Sequence, residues 1–104
     1  MKLLRKEKSS IQSRLAAVGF DGNRRYKSIG SALESARTVF SLEGFTLLDE
    51  VANTDGTDLF GLESGRICFP IAFETREEDV PFTEYFQFIW TKLENGYEII
   101  GYLS

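Results

Sequence analysis

Apolar residues recur at helical spacing through the first 44 positions and alternate from Phe45 onward. Leu4, Ile11, Leu15 and Val18 fall on one side of a helix expected within residues 9–18, with a start as early as residue 2. Ser9 followed by Gln12 has capping-box spacing, in which two side chains satisfy free backbone N–H groups. Gly19 supplies the left-handed residue that ends a helix, and Phe20 folds back on the last turn. The segment 21–27, DGNRRYK, reads as a polar connection. A second helix is expected over about 31–43, with Ser31 and Glu34 as its capping box. Its apolar stripe is Ile29, Leu33, Ala36, Val39 and Phe40, with Ala32 beside it. Gly44-Phe45 repeats the Gly-Phe ending.

The alternating half predicts five strands, at about 45–51, 57–63, 66–74, 82–93 and 97–103. Turns are expected at Asn53-Thr54-Asp55-Gly56, at Glu63-Ser64-Gly65 and at Asn95-Gly96. With Asn95-Gly96 as the central pair of the last turn, Glu94 faces Tyr97, Lys92 faces Ile99, Trp90 faces Gly101 and Phe88 faces Leu103. Phe88, Trp90, Ile99 and Leu103 then share a face that packs on the second helix. The opposite face carries Tyr85, Gln87, Ile89, Thr91, Ile100 and Tyr102, which is apolar for a solvated surface. Pro70 has no N–H to donate, so its strand is expected to be an edge or bulged there. The fold class is α+β: two N-terminal helices followed by a four- to five-stranded antiparallel sheet packed on the second helix, a cystatin-like or similar helix-on-sheet architecture. Residues 1–104 read as one domain, with 1–8 as a basic arm.

Composition fits this reading: 42% of residues are hydrophobic and 27% charged, as in globular domains. The net charge of −4 is unevenly spread. Residues 1–27 hold eight Lys/Arg against two acids, whereas 28–104 hold four against fourteen. The asymmetry reads either as a basic segment lying against the acidic body of its own domain or as a basic arm for a polyanion. Cys68 is the only cysteine, and the N-terminus lacks an apolar signal region, so a cytoplasmic location is expected. No apolar run approaches the roughly 20 residues of a membrane span.

Chemistry is sparse. The chain has no histidine, which removes Ser-His-Asp and Cys-His mechanisms in their usual form. Cys68 sits mid-strand between Ile67 and Phe69 and reads as core. The acids Asp49, Glu50, Asp55 and Asp58 do not form an EF-hand, because Val51 occupies the position that needs the first Asp. No glycine pattern suits a phosphate cradle, so no cofactor and no metal site is expected.

The function expected from these residues is a small non-enzymatic interaction module of inhibitor, antitoxin, immunity or adaptor type. It would present an acidic sheet and loop surface to a protein partner, or to a second copy of itself, through Glu77, Glu78, Asp79, Tyr85 and Tyr102. A second reading is a small-molecule binder or compact enzyme with a pocket between helix and curved sheet. A third is nucleic-acid contact through residues 1–27, with Arg24, Arg25 and Lys27 on phosphate and Tyr26 stacking on bases.

Overall fold

The rhythm change at Phe45 marks a real boundary in a computed structural model, which describes residues 3–57, 61, 63–74 and 82–104. The elements are α1 (Arg5–Ala17), β1 (Asp21–Tyr26), α2 (Ile29–Leu42), β2 (Phe45–Leu47), β3 (Ala52–Thr57), β4 (Glu63–Phe73), β5 (Tyr85–Leu93) and β6 (Gly96–Leu103). The chain is α+β, and α2 packs on a curled, six-stranded antiparallel sheet in the order β1-β6-β5-β4-β2, with β3 also paired to β4.

Both Gly-Phe endings are formed. After α1, Gly19 has φ +96°, and the N–H groups of Gly19 and Phe20 donate to the carbonyls of Ala16 and Leu15, a Schellman ending. Gly44 has φ +87°, with no heavy atom within 4 Å of where a Cβ would stand. Gly44→Ala therefore tests backbone conformation alone. It is expected to cost about 1 kcal/mol and to lower the melting temperature by about 4–8 °C. An unchanged melting temperature would mean that Gly44 is not left-handed.

The helix caps differ from those read in the sequence. α1 begins at Arg5, so residues 5–8 are its first turn rather than part of an arm. Glu7 accepts from the N–H of Leu4 at 2.8 Å. Ser9 and Gln12 are interior to the helix, and the Gln12 amide donates instead to the carbonyl of Gly101 at 2.9 Å. Leu3 is buried and Leu4 exposed, the reverse of the expected stripe. α2 is capped by Ser28, whose hydroxyl accepts from the N–H of Ser31. Ser31 therefore stands at the third helical position rather than at the cap.

Two buried or part-buried carboxylates pin α1 in place. Glu84 is buried, and it accepts from the N–H of Leu3 at 3.1 Å and pairs with the Lys8 ammonium at 2.8 Å. Glu43, at the end of α2, accepts from Ser10 and Arg14 at 2.6 Å each. Burial pushes the Glu84 carboxyl up, but the Lys8 and Leu3 contacts outweigh it and hold the group below its ordinary value. The Ser10 hydroxyl, with Arg14, lowers Glu43 against a smaller opposing push from burial. A carboxyl lowered in the folded state stabilises fully above its unfolded pKa and loses that contribution as pH falls through the lowered value. Glu84→Gln is thus expected to cost roughly 1–2 kcal/mol at neutral pH. The cost should shrink toward zero in acid, measured as urea midpoints along a pH series. A cost that does not change with pH would contradict this account.

The strands also depart from expectation at the sheet edges. Residues 21–26, read as a connection, form β1 against β6. Asn53-Thr54-Asp55-Gly56, read as a turn, lies in β3, where every residue is exposed. Glu63-Ser64-Gly65, also read as a turn, opens β4. Pro70 is not on an edge strand: it pairs with Tyr85 of β5, and on its other side it falls between β3, which pairs with residues 63–68 of β4, and β2, which pairs with 71–73. Between them the chain bulges, held by N–H groups of Leu48 and Val51 donating to the carbonyls of Pro70 and Cys68.

The β5–β6 hairpin is shifted by two residues from the expected register. Leu93 pairs with Gly96, leaving Glu94-Asn95 as the turn, so that Trp90 faces Ile99 and Phe88 faces Gly101. The cause is visible at Gly96, where a Cβ would lie 2.6 Å from the carbonyl oxygen of Tyr26. Gly96 is needed both for the close approach of β1 and for its own backbone, which leaves the turn at φ +130°. Because the shift is two residues, every side chain keeps its face.

The core lies between the helices and one sheet face. Phe20, Phe40, Phe69, Phe86 and Phe88 are almost wholly buried there with Ile11, Leu15 and Ile99. Trp90 is half-buried; it packs edge-on to Tyr97 at 6.0 Å and covers Gly65 rather than Gly101.

Candidate functional site

Because α1, α2 and the buried aromatics occupy one side of the sheet, the other side carries no helix. Cross-strand partners share a face, so the observed register lays this surface out in rows. One row is Arg66, Ile89, Ile100 and Asp21, across β4, β5, β6 and β1. On one side of it runs Cys68, Gln87 and Tyr102, then Pro70 and Tyr85. On the other run Ser64, Thr91, Glu98 and Arg25. Tyr85 and Tyr102 are 39% and 37% exposed, large aromatic areas left open by the rest of the chain. Ile89 and Ile100 are half-buried between them and the charged row.

Cys68 is buried, and its thiol donates to the Gln87 side-chain oxygen at 2.8 Å. It is a structural residue beneath this surface.

The acidic surface expected from sequence rests on a loop that lies outside the described residues. Among the described residues the charged side chains of the face are Arg66 and Arg25 against Asp21 and Glu98, which balance. Arg25 and Glu98 pair at 3.5 Å. Arg66 makes no ion pair among the described residues, and Asp21 only accepts from Asn23. Among the residues picked out from sequence, Tyr85 and Tyr102 lie on this face. Glu77, Glu78 and Asp79 fall outside the described residues. Arg66 and Asp21 could not be read as flanking the face from sequence, because that requires knowing that β4 lies beside β5 and β1 beside β6.

The basic cluster lies along β1 and the start of α2. Tyr26 is buried in the core, edge-on to Phe20, with its hydroxyl donating to the carbonyl of Val18. Its ring is therefore not free to stack on a base. Arg24 lies over that ring at 4.6 Å, while Arg25 turns to the opposite face. Arg24, Arg25, Tyr26 and Lys27, with Ser28, Ser31 and Ser35, border an open groove of about 470 Å³ beside α2. Several N-terminal cations meet acids of the body: Lys8 with Glu84, Arg14 with Glu43 and Arg25 with Glu98. The charge asymmetry of the sequence is thus partly neutralised within the fold.

The space between the middle of α2 and the sheet is filled. Ala32, Ala36 and Phe40 are wholly buried against Phe86, Phe88 and Ile71. At the start of α2 a cleft of about 490 Å³ lies between Ile29 and the sheet residues Asn53, Asp55, Glu63, Ile67 and Trp90, and opens to solvent. No helix among the described residues is long and apolar enough to cross a membrane. No protein-family model, no curated protein and no solved structure matches this chain.

Proposed function

We propose that the chain is a non-enzymatic protein-interaction module whose contact surface is the helix-free face of its sheet. The observation that carries this reading is the pair of open tyrosines, Tyr85 and Tyr102, on one side of Ile89 and Ile100 on a face that neither helix covers. Tyrosines on a rigid strand offer large contact area at little entropic cost, and such residues anchor interfaces. The partner that fits is a protein surface that is apolar at its centre and near neutral in charge, because the face itself carries two cations and two acids. The closed packing of Ala32, Ala36 and Phe40 on the sheet favours this reading over a pocket enclosed beneath the middle of α2. The acidic run Glu77, Glu78 and Asp79 belongs to the same reading as a charged flank.

Capture from native lysate tests it, with wild type compared against Ile89→Glu and Tyr102→Ala on the face and Glu34→Lys on α2. Proteins held by wild type and by the α2 variant should be lost from both face variants. Equal capture by all four would overturn the assignment of the surface. Reversal of Glu77, Glu78 and Asp79 to Lys in the same assay reads the contribution of the flank.

A further inference from the structure

Resting on the reading of the helix-free face as a contact surface, we propose that its occupant is a second copy of this chain, paired face to face about a two-fold axis parallel to β5 and β6 and lying between them. The row Arg66, Ile89, Ile100, Asp21 is built for this. It runs from a cation through two isoleucines to an acid on four adjacent strands, spaced by about 4.8 Å per strand. Rotation about that axis exchanges the two ends of the row. It lays the isoleucine pair on its own copy and sets each Arg66 against the Asp21 end of the other chain. A two-fold interface must be self-complementary in this way.

The neighbouring rows agree. On one side, Tyr102 turns onto the Gln87 position and Tyr85 onto the chain terminus at Ser104, which hydrogen-bonds to Tyr85 within the chain. On the other, the Arg25–Glu98 pair turns onto Ser64 and Thr91, which carry no charge. No row brings like charges together. The two end charges of the central row are also the ones left without an ion pair: Arg66 has none among the described residues, and Asp21 meets only Asn23. A uniformly basic or uniformly acidic partner would suit one end of the row and be repelled by the other. Two sheets of this kind pack with their strands at about 30° and about 10 Å apart, within reach of Arg66.

Sedimentation velocity of the full chain from about 1 to 200 µM tests the pairing. Four proteins are compared: wild type, Arg66→Glu, Asp21→Lys and the double reversal, each checked for unchanged circular dichroism. Wild type is expected to dimerise within this range. Each single reversal puts like charges together twice in the dimer and is expected to raise the dissociation constant by about tenfold or more. The double reversal restores opposite charges and should return the constant to within a few-fold of wild type, which a merely structural role for either residue would not produce. A wild type that is monomeric throughout overturns the inference, as does a double reversal no better than the singles. Failure of the underlying reading is distinguished by the lysate capture. If Ile89→Glu still releases captured proteins from a monomeric chain, the face is a contact surface for something else. If it does not, the surface assignment falls as well.

Discussion

Phe86→Ala is expected to destabilise the protein by about 3–5 kcal/mol, a large share of the 5–15 kcal/mol that holds a domain of this kind together. Phe86 has no exposure, and its ring meets four others: Phe40 at 5.1 Å, Phe20 and Phe88 at 6.2 Å and Phe69 at 6.3 Å. These rings come from the α1–β1 junction, α2, β4 and β5, so the side chain joins every layer of the core. Removing it loses the transfer free energy of the ring and leaves a cavity walled by groups that are themselves fixed by other contacts. Phe86→Leu keeps much of the volume and should cost far less. Urea unfolding of the two variants checks this. Equal and small losses would mean that the ring is not the centre of the core.

Gly101→Val is expected to be the next most damaging change, at about 3 kcal/mol. Gly101 sits on β6 directly opposite Phe88, with an ordinary strand conformation, so its need for glycine is one of space. A Cβ there would stand 2.6 Å from Phe20 and 2.9 Å from Phe86. Both neighbours are ring carbons of buried side chains that cannot swing away. The Gly101 N–H donates to the Phe20 carbonyl and its own carbonyl accepts from Gln12, so the backbone is held from both sides. The contrasting case is Gly56, where nothing lies within 4 Å of a Cβ and φ is not positive. Gly56→Val should be close to neutral. Similar melting temperatures for the two variants would contradict the packing described here.

What could be read from sequence, and what could not, divides along burial. Phe86 and Phe88 of β5 and Ile99 and Gly101 of β6 alternate with less buried residues because one face of that hairpin is core, and β4 was legible as an apolar run whose residues 67–72 are all buried. β1 and β3 were not, because they are strands with one neighbour each and little buried surface. Only Tyr26 of β1 is buried, and no residue of β3 is. Their Asp-Gly and Asn-Thr-Asp-Gly sequences follow turn chemistry, and backbone pairing to β6 and β4 overrides it. The hairpin register went the same way: Asn95-Gly96 is a strong local signal, yet Gly96 also lies against the Tyr26 carbonyl, 70 residues earlier in the chain, a contact no local pattern encodes. Gly19, Gly44, Phe20 and Phe45 were legible because a helix ending is a local event, settled by hydrogen bonds within one turn.

The contact face follows the same division. Tyr85, Ile89, Ile100 and Tyr102 were visible as an apolar second face of the last hairpin. The charges at its ends depend on strand order, which no local pattern encodes. Arg66 reaches the face only because β4 neighbours β5, and Asp21 only because the first strand of the chain pairs with the last.

The account depends most on both helices lying on one side of the sheet. A methyl–aromatic nuclear Overhauser spectrum of dilute protein tests this directly. The account predicts contacts linking the methyls of Ile11, Leu15 and Val39 to the rings of Phe20, Phe40, Phe86 and Phe88, and none from either helix to Ile89, Ile100 or Tyr102. Contacts from α1 or α2 to Ile89, Ile100 or Tyr102 would contradict it, because the face assigned to a partner would then be covered by the chain's own helices.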